Sequence, residues 1–428
     1  MVEKTILHVS WWKYHDKKGI YYISIFNLLL FLGTLLINIK NNTLTNEAFI
    51  PAGILSVIFI VVQIISVRLR KNADNYLLSL VMFMSSISAI MILRLKPDLY
   101  THQIVWICIG LIVFLIIVAV SDRLLELLDF PYVLGFGALI IICSVLIFGT
   151  DIGGNRNWII LGPIQVQPSE FAKLLIIAFL SSFLSENKNV LVLPSRGWKF
   201  IHLPPFRFLA PLLLIWSASI LMFVSLRDLG SALLFFGIVV IMTYVATGKK
   251  LYVAIALFFF SLSSYISYLL FAHVQTRVAI WLHPWDDPMG SAYQIVQSLF
   301  AFGYGGVFGT GYTSGFPRLI PEVHTDFIFA AIGEEFGLIG VTFLLLAYLL
   351  LFMRGIKAAL LLTNEKYKLM AFGLAITLLL QTFIILAGVT KLLPLTGITL
   401  PFISYGGSSM VSSFISLGLL YALSSKER

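Results

Sequence analysis

The chain has 428 residues, 59% of them hydrophobic and 11% charged, with a mean hydropathy of +0.97, a profile that excludes a soluble globular domain of this length. The formal net charge of +9 would suit a nucleic-acid binder, but Lys and Arg fall in short patches between apolar runs, with no basic stripe or stacking platform. No nucleic acid is therefore expected as a partner.

The apolar runs are about twenty residues long, enough to cross roughly 30 Å of hydrocarbon as helix and unlike the short alternating segments of a membrane barrel. The pattern predicts an all-α polytopic membrane protein with about twelve transmembrane helices. These cover 20–39, 50–67, 76–95, 101–120, 131–149, 164–185, 209–225, 229–246, 251–271, 326–353, 368–390 and 407–424. Lysines precede the first run, but no small-residue cleavage site follows it, so it reads as a retained span. Cys108 and Cys143 lie inside apolar runs and read as small buried hydrophobes.

Placing both termini in the cytoplasm puts most of the 29 Lys and Arg residues on the inside. The inside patches are RLRK at 68–71, the segment 188–207, Lys249 with Lys250, and 354–368. A large extracellular loop, 272–325, then joins the ninth and tenth spans. It carries a glycine-dense run, GYGGVFGTGYTSG, at 303–315, which permits tight turns. Its apolar stretch IVQSLFAF suggests short helices lying on or dipping into the bilayer surface.

Along the chain, IQVQPSEFAKLL at 164–175 reads as a helix start with Pro168 in the first turn and Glu170 near the positive end of the dipole. Lys173 follows one turn deeper. It is either the partner of Glu170 in a structural ion pair or a cation for an anionic substrate. In HPWDDPMGSAYQ, 283–294, Pro288 and Gly290 present Asp287 from a loop. Asp286 and Asp287 are either a solvated pair or include a general base, and the apolar neighbours Trp281, Trp285 and Met289 would raise the proton affinity of such an acid.

Further on, LIPEVHTDFIFAAIGEEFG, 319–337, carries Glu322, His324, Asp326, Glu334 and Glu335 into a span. Read as one helix, it places Asp326 and Glu334 on one face about 12 Å apart. Glu334 and Glu335 are expected either to be functional or to pair with bases on neighbouring spans. No second histidine stands at a ligand spacing from His324, which disfavours a metal role. LPLTGITLPFISYGGSSM, 393–410, including Ser408, reads as a re-entrant turn lining a cavity. The cations Arg156, Arg227, Arg277 and Lys391 share the loop side of the bundle and, if they converge, would suit a pyrophosphate or carboxylate.

Five collinear segments, GGNRNWIILGPIQVQPSEFAK, RDLGSALLFF, HPWDDPMGSAYQIVQS, IPEVHTDFIFAAIGEEFGLIG and LPLTGITLPFISYGGSS, resemble the SEDS family (shape, elongation, division and sporulation; RodA, FtsW and SpoVE). The resemblance spans 76–424. It implies a ten-helix catalytic core over 76–428, so that 1–75 becomes an N-terminal extension with two extra transmembrane helices. It also implies peptidoglycan glycosyltransferase activity on lipid II at the outer face of the bacterial cytoplasmic membrane, and a class B penicillin-binding protein as partner.

By the same resemblance Asp287 is the catalytic residue. Lys173, Arg156, Arg277, Glu170, Gln294, Glu322, His324, Lys391 and Ser408 are then candidates for substrate binding. A divalent cation, Mg or Mn, could assist at the pyrophosphate, and no other cofactor is expected. Asn157, Ile385 and Lys391 stand where relatives commonly carry Arg, Asn and Gly. The competing readings are a lipid II transporter and a non-catalytic scaffold for a partner synthase.

Overall fold

A computed structural model describes residues 19–40, 46–152, 155–162, 164–192, 205, 209–215, 217 and 228–426. The chain runs through α1 (Gly19–Lys40), α2 (Asn46–Leu69), α3 (Asn75–Leu95), α4 (Tyr100–Glu126) and α5 (Pro131–Phe148). Strands β1 (Thr150–Ile152), β2 (Asn155–Leu161) and β3 (Ile164–Val166) follow, then α6 (Pro168–Val192), α7 (Leu229–Thr247) and α8 (Lys250–Leu270). The loop carries α9 (Ala272–Leu282) and α10 (Tyr293–Gly305), and the last spans are α11 (Ile328–Leu361), α12 (Glu365–Val389) and α13 (Gly407–Ser424).

Among the described residues ten helices are long and apolar enough to cross a membrane, and α1 is apolar over Ile25–Ile39. The chain is a multi-pass membrane protein. The span expected at 209–225 lies largely outside the described residues.

Local chemistry sets the helix ends. Asp74 caps α3 by accepting from the Tyr76 amide at 3.2 Å, Asp228 caps α7 from the Ser231 amide at 2.9 Å, and Asn364 caps α12. Pro131 and Pro168 open α5 and α6, where a missing N–H costs nothing. Packing then sorts the helices. Helix α13 lies against α4, α5 against α6, and α12 against both α11 and α6, while α1 covers α3 and α2 covers α4. Most exposed large apolar side chains are those expected to meet lipid.

Three sequence expectations change. The span expected from 164 begins at Pro168, because 164–166 is a strand of a three-stranded antiparallel sheet in the order β1-β2-β3. Asp326 is not on a helix face, since α11 starts at Ile328, so the 12 Å carboxylate stripe does not form. Cys143 is exposed rather than buried, whereas Cys108 is half-buried.

Helix α11 is broken at Gly337, whose φ of 64° and ψ of −166° are left-handed and non-helical. A Cβ there would meet the Gly309 nitrogen at 2.3 Å. The loop strand 306–311 fills the break. Leu338 and Ile339 donate to the carbonyls of Gly306 and Val307 at 2.9 and 3.2 Å, and Thr310 and Gly311 donate to those of Glu334 and Glu335, both at 3.0 Å. Backbone groups freed by the break are thus satisfied inside the protein, as hydrocarbon surroundings demand.

Candidate functional site

The loop segments and the 393–409 stretch enclose a cavity of about 950 Å³ at one end of the bundle. Its lining includes Arg277, Gln294, Glu322, His324 and Lys391, five of the residues singled out in the sequence. It also includes His102, Trp106, Trp158, Trp281, Ser291, Asp326, Thr399, Tyr405 and Ser409. Residues far apart in sequence converge because α9, α10 and the 319–327 segment fold back over the ends of α4, α6 and α13.

Asp287 sits in the turn between α9 and α10, at the rim. Its side chain does not line the cavity, but Ser291, which binds it, does. The Ser291 amide donates to Asp287 Oδ2 at 2.7 Å and the Ser291 hydroxyl at 3.0 Å. These donors hold the fully exposed carboxyl below the usual carboxylate range. This corrects the sequence expectation: Trp285 and Met289 are themselves exposed, at 56% and 81%, and do not desolvate the acid. Gly290 has a steric reason, since a Cβ there would stand 2.4 Å from Asp287 Oδ2.

Arg277 donates to the Leu395 carbonyl at 2.8 Å, and burial lowers its pKa against the pull of Asp228 and Asp326. Lys391 adopts φ 61°, and its carbonyl accepts from the Trp281 indole at 3.2 Å. His324 lies 3.8 Å from Glu322 and is held below its ordinary pKa by burial and then by Lys96. Burial pushes Asp326 up to about 7, assisted by Glu322 and opposed by Arg277.

Three expected substrate contacts lie behind the cavity wall instead. Lys173, 1% exposed, pairs with Glu170 at 2.5 Å and donates to Gln381 at 2.9 Å. Ser412 donates to Glu170 at 2.5 Å. Gln381 in turn donates to the carbonyl of Thr399, a lining residue, at 3.0 Å. Ser408 accepts the Gln167 amide at 3.1 Å. Of the two sequence readings, the geometry supports the structural ion pair: a buried lysine whose charge is matched and hydrogen-bonded stiffens the floor. Arg156 lies in β2, but its side chain, like Arg227, is outside the described residues. Glu335 pairs with Arg94 at 2.9 Å, as one sequence reading held.

Among the described residues no three His, Cys, Asp or Glu side chains converge as a metal site. A divalent cation held by the substrate's phosphates and a single carboxylate would need no such cluster. The sequence reading does not single out Trp106 and Trp158, whereas Thr399 lies in the 393–410 segment it expects to line a cavity. Ser291 could have been found, because it stands four residues after Asp287 in the same polar turn.

Comparison with known proteins fits this arrangement. The sequence model of the FtsW/RodA/SpoVE family, described as cell cycle protein, matches residues 69–428. Peptidoglycan glycosyltransferase RodA of Mycobacterium tuberculosis is 36% identical over 370 residues, covering 83% of this chain and 79% of the relative. Stage V sporulation protein E of Bacillus subtilis is 37% identical over 300 residues, covering 68% and 79%. A chain solved in a peptidoglycan synthase complex superposes with a TM-score of 0.69 at 28% identity, covering 82% of this chain and 97% of its own. Thermus thermophilus rod shape determining protein RodA gives 0.57 at 26%, covering 82% and 96%. With 360 consecutive residues matched, the chain belongs to the FtsW/RodA/SpoVE family, the SEDS proteins.

Proposed function

We propose that this protein is a peptidoglycan glycosyltransferase that polymerises lipid II, with the cavity opening at the outer face of the bacterial cytoplasmic membrane and both termini in the cytoplasm. The reading rests on one observation above all: an ionised carboxylate, Asp287, at the rim of a large cavity that also holds Arg277 and Lys391. The relatives named peptidoglycan glycosyltransferase support it.

Asp287 accepts the proton of the acceptor's sugar hydroxyl as that oxygen bonds to the donor's anomeric carbon. The bond from that carbon to the undecaprenyl pyrophosphate breaks, and its electron pair leaves with the pyrophosphate. Arg277 and Lys391 stabilise the departing charge. Configuration inverts, and a single base suffices. A class B penicillin-binding protein is the proposed partner, a reading supported by the related chain solved in a synthase complex.

The test is polymer formation from lipid II by purified full-length protein. The wild type should make glycan strands and Asp287→Ala should lose about 10²-fold or more in kcat. Full activity in that variant would remove the proposed base, and translocation of lipid II without polymer would replace the enzyme by a transporter.

A further inference from the structure

Asp326 and Glu322 are cavity carboxylates that the mechanism above leaves without work, and of the two Asp326 has no ion-pair partner among the described residues. Its backbone neighbours are pinned: the Tyr405 amide donates to the His324 carbonyl at 2.9 Å, and the Ser404 hydroxyl donates to the Thr325 carbonyl at 2.5 Å. Ser404 is itself fixed by the Leu400 amide at 2.9 Å. The side chain that follows these anchors lines the cavity, yet it makes no hydrogen bond or ion pair with any described residue. A part-exposed acid on a fixed backbone, with no donor from the described residues, is available to a ligand entering the cavity.

The surroundings narrow that ligand. Arg277 stands near enough to act on Asp326 electrostatically, which disfavours a cation there, and Glu322, which also acts on it, disfavours an anion. A neutral donor of hydrogen bonds satisfies both. The same cavity is lined by Trp106, Trp158, Trp281 and Tyr405, aromatic side chains that suit the apolar faces of pyranose rings.

We infer that Asp326 is a saccharide-recognition residue, accepting a hydrogen bond from a hydroxyl or acetamido N–H of a sugar ring that packs on the cavity's aromatic side chains. It acts on substrate affinity, separately from the base at the rim. The inference rests on that part of the proposed function which makes this cavity the lipid II site, and assigns a subsite within it. Of the sugars in the reaction it concerns those inside the cavity, away from the carboxylate of Asp287.

The experiment compares wild type, Asp326→Ala and Asp326→Asn in full-length purified protein with lipid II. Assayed at about pH 8, above the raised pKa of Asp326, Asp326→Ala should raise KM about tenfold, with kcat within about threefold, the loss expected for one hydrogen bond to a charged acceptor. Asp326→Asn, which keeps the shape and guards against a misfolded alanine variant, should raise KM at least about threefold. An unchanged KM, or a fall in kcat alone, overturns the inference. Direct binding of fluorescent lipid II, about tenfold weaker in Asp326→Ala, reads recognition without turnover. A wild type that binds but makes no polymer would sink the polymerase reading while leaving this one standing, whereas equal binding by both proteins would sink this one alone.

Discussion

Ser291 gives both its amide and its hydroxyl to one oxygen of Asp287, at 2.7 and 3.0 Å. Two donors on a single oxygen stabilise the anion and fix its direction. Because the pKa is lowered rather than raised, the base is ionised across the ordinary range. In a pH profile kcat should stay flat from about pH 8 to about pH 5, and Ser291→Ala should move the acid limb upward without abolishing activity. A wild-type kcat limb near neutrality would assign the proton transfer elsewhere.

Gly290 faces the same carboxylate. Its backbone is not left-handed, so alanine is tolerated conformationally, but the added methyl would overlap Asp287 Oδ2. Gly290→Ala should therefore lower kcat by about tenfold or more while leaving the thermal unfolding midpoint close to wild type. A matching fall in stability would place the fault in the fold.

The buried Lys173 and Glu170 pair predicts an asymmetric outcome. Removing one partner, as in Lys173→Met, leaves a carboxylate in the bundle interior and should destabilise by about 3 to 5 kcal/mol. The double change Lys173→Met with Glu170→Gln should recover most of that loss. Thermal unfolding in detergent measures both, and equal losses in single and double variants would contradict the assigned structural role.

Stability should also respond to pH through Asp326. The folded protein keeps this proton up to about pH 7, whereas the unfolded chain releases it near 3.8. The stabilisation from the neutral acid is present below the unfolded value and is lost as pH rises through about 7. Asp326→Asn carries no such loss. Its unfolding midpoint should gain on wild type as pH rises from about 5 to about 8, and a constant difference would refute the raised pKa.

Much of the architecture was legible because a bilayer imposes its thickness on the sequence. Runs such as 76–95 and 407–424 are nearly the helices Asn75–Leu95 and Gly407–Ser424. Asp287 was legible for a related reason, since charge is scarce and its turn chemistry is local. Its pKa direction was not, because apolar neighbours in sequence need not cover a side chain, and the Ser291 donors act through geometry. The segment 164–166 was read as helix because its apolar residues continue into α6, although they pair with β2. Lys173 could be read either way until Gln381, from a helix about 200 residues away, was placed beside it.

The break at Gly337 makes the loop segment 306–311 and helix α11 a single folding unit. Four main-chain bonds cross from 306–311 into α11, so cutting or exchanging that stretch by itself would strand amides and carbonyls in oil. Transplants between relatives should carry both pieces together, and drift in one is answerable to the other.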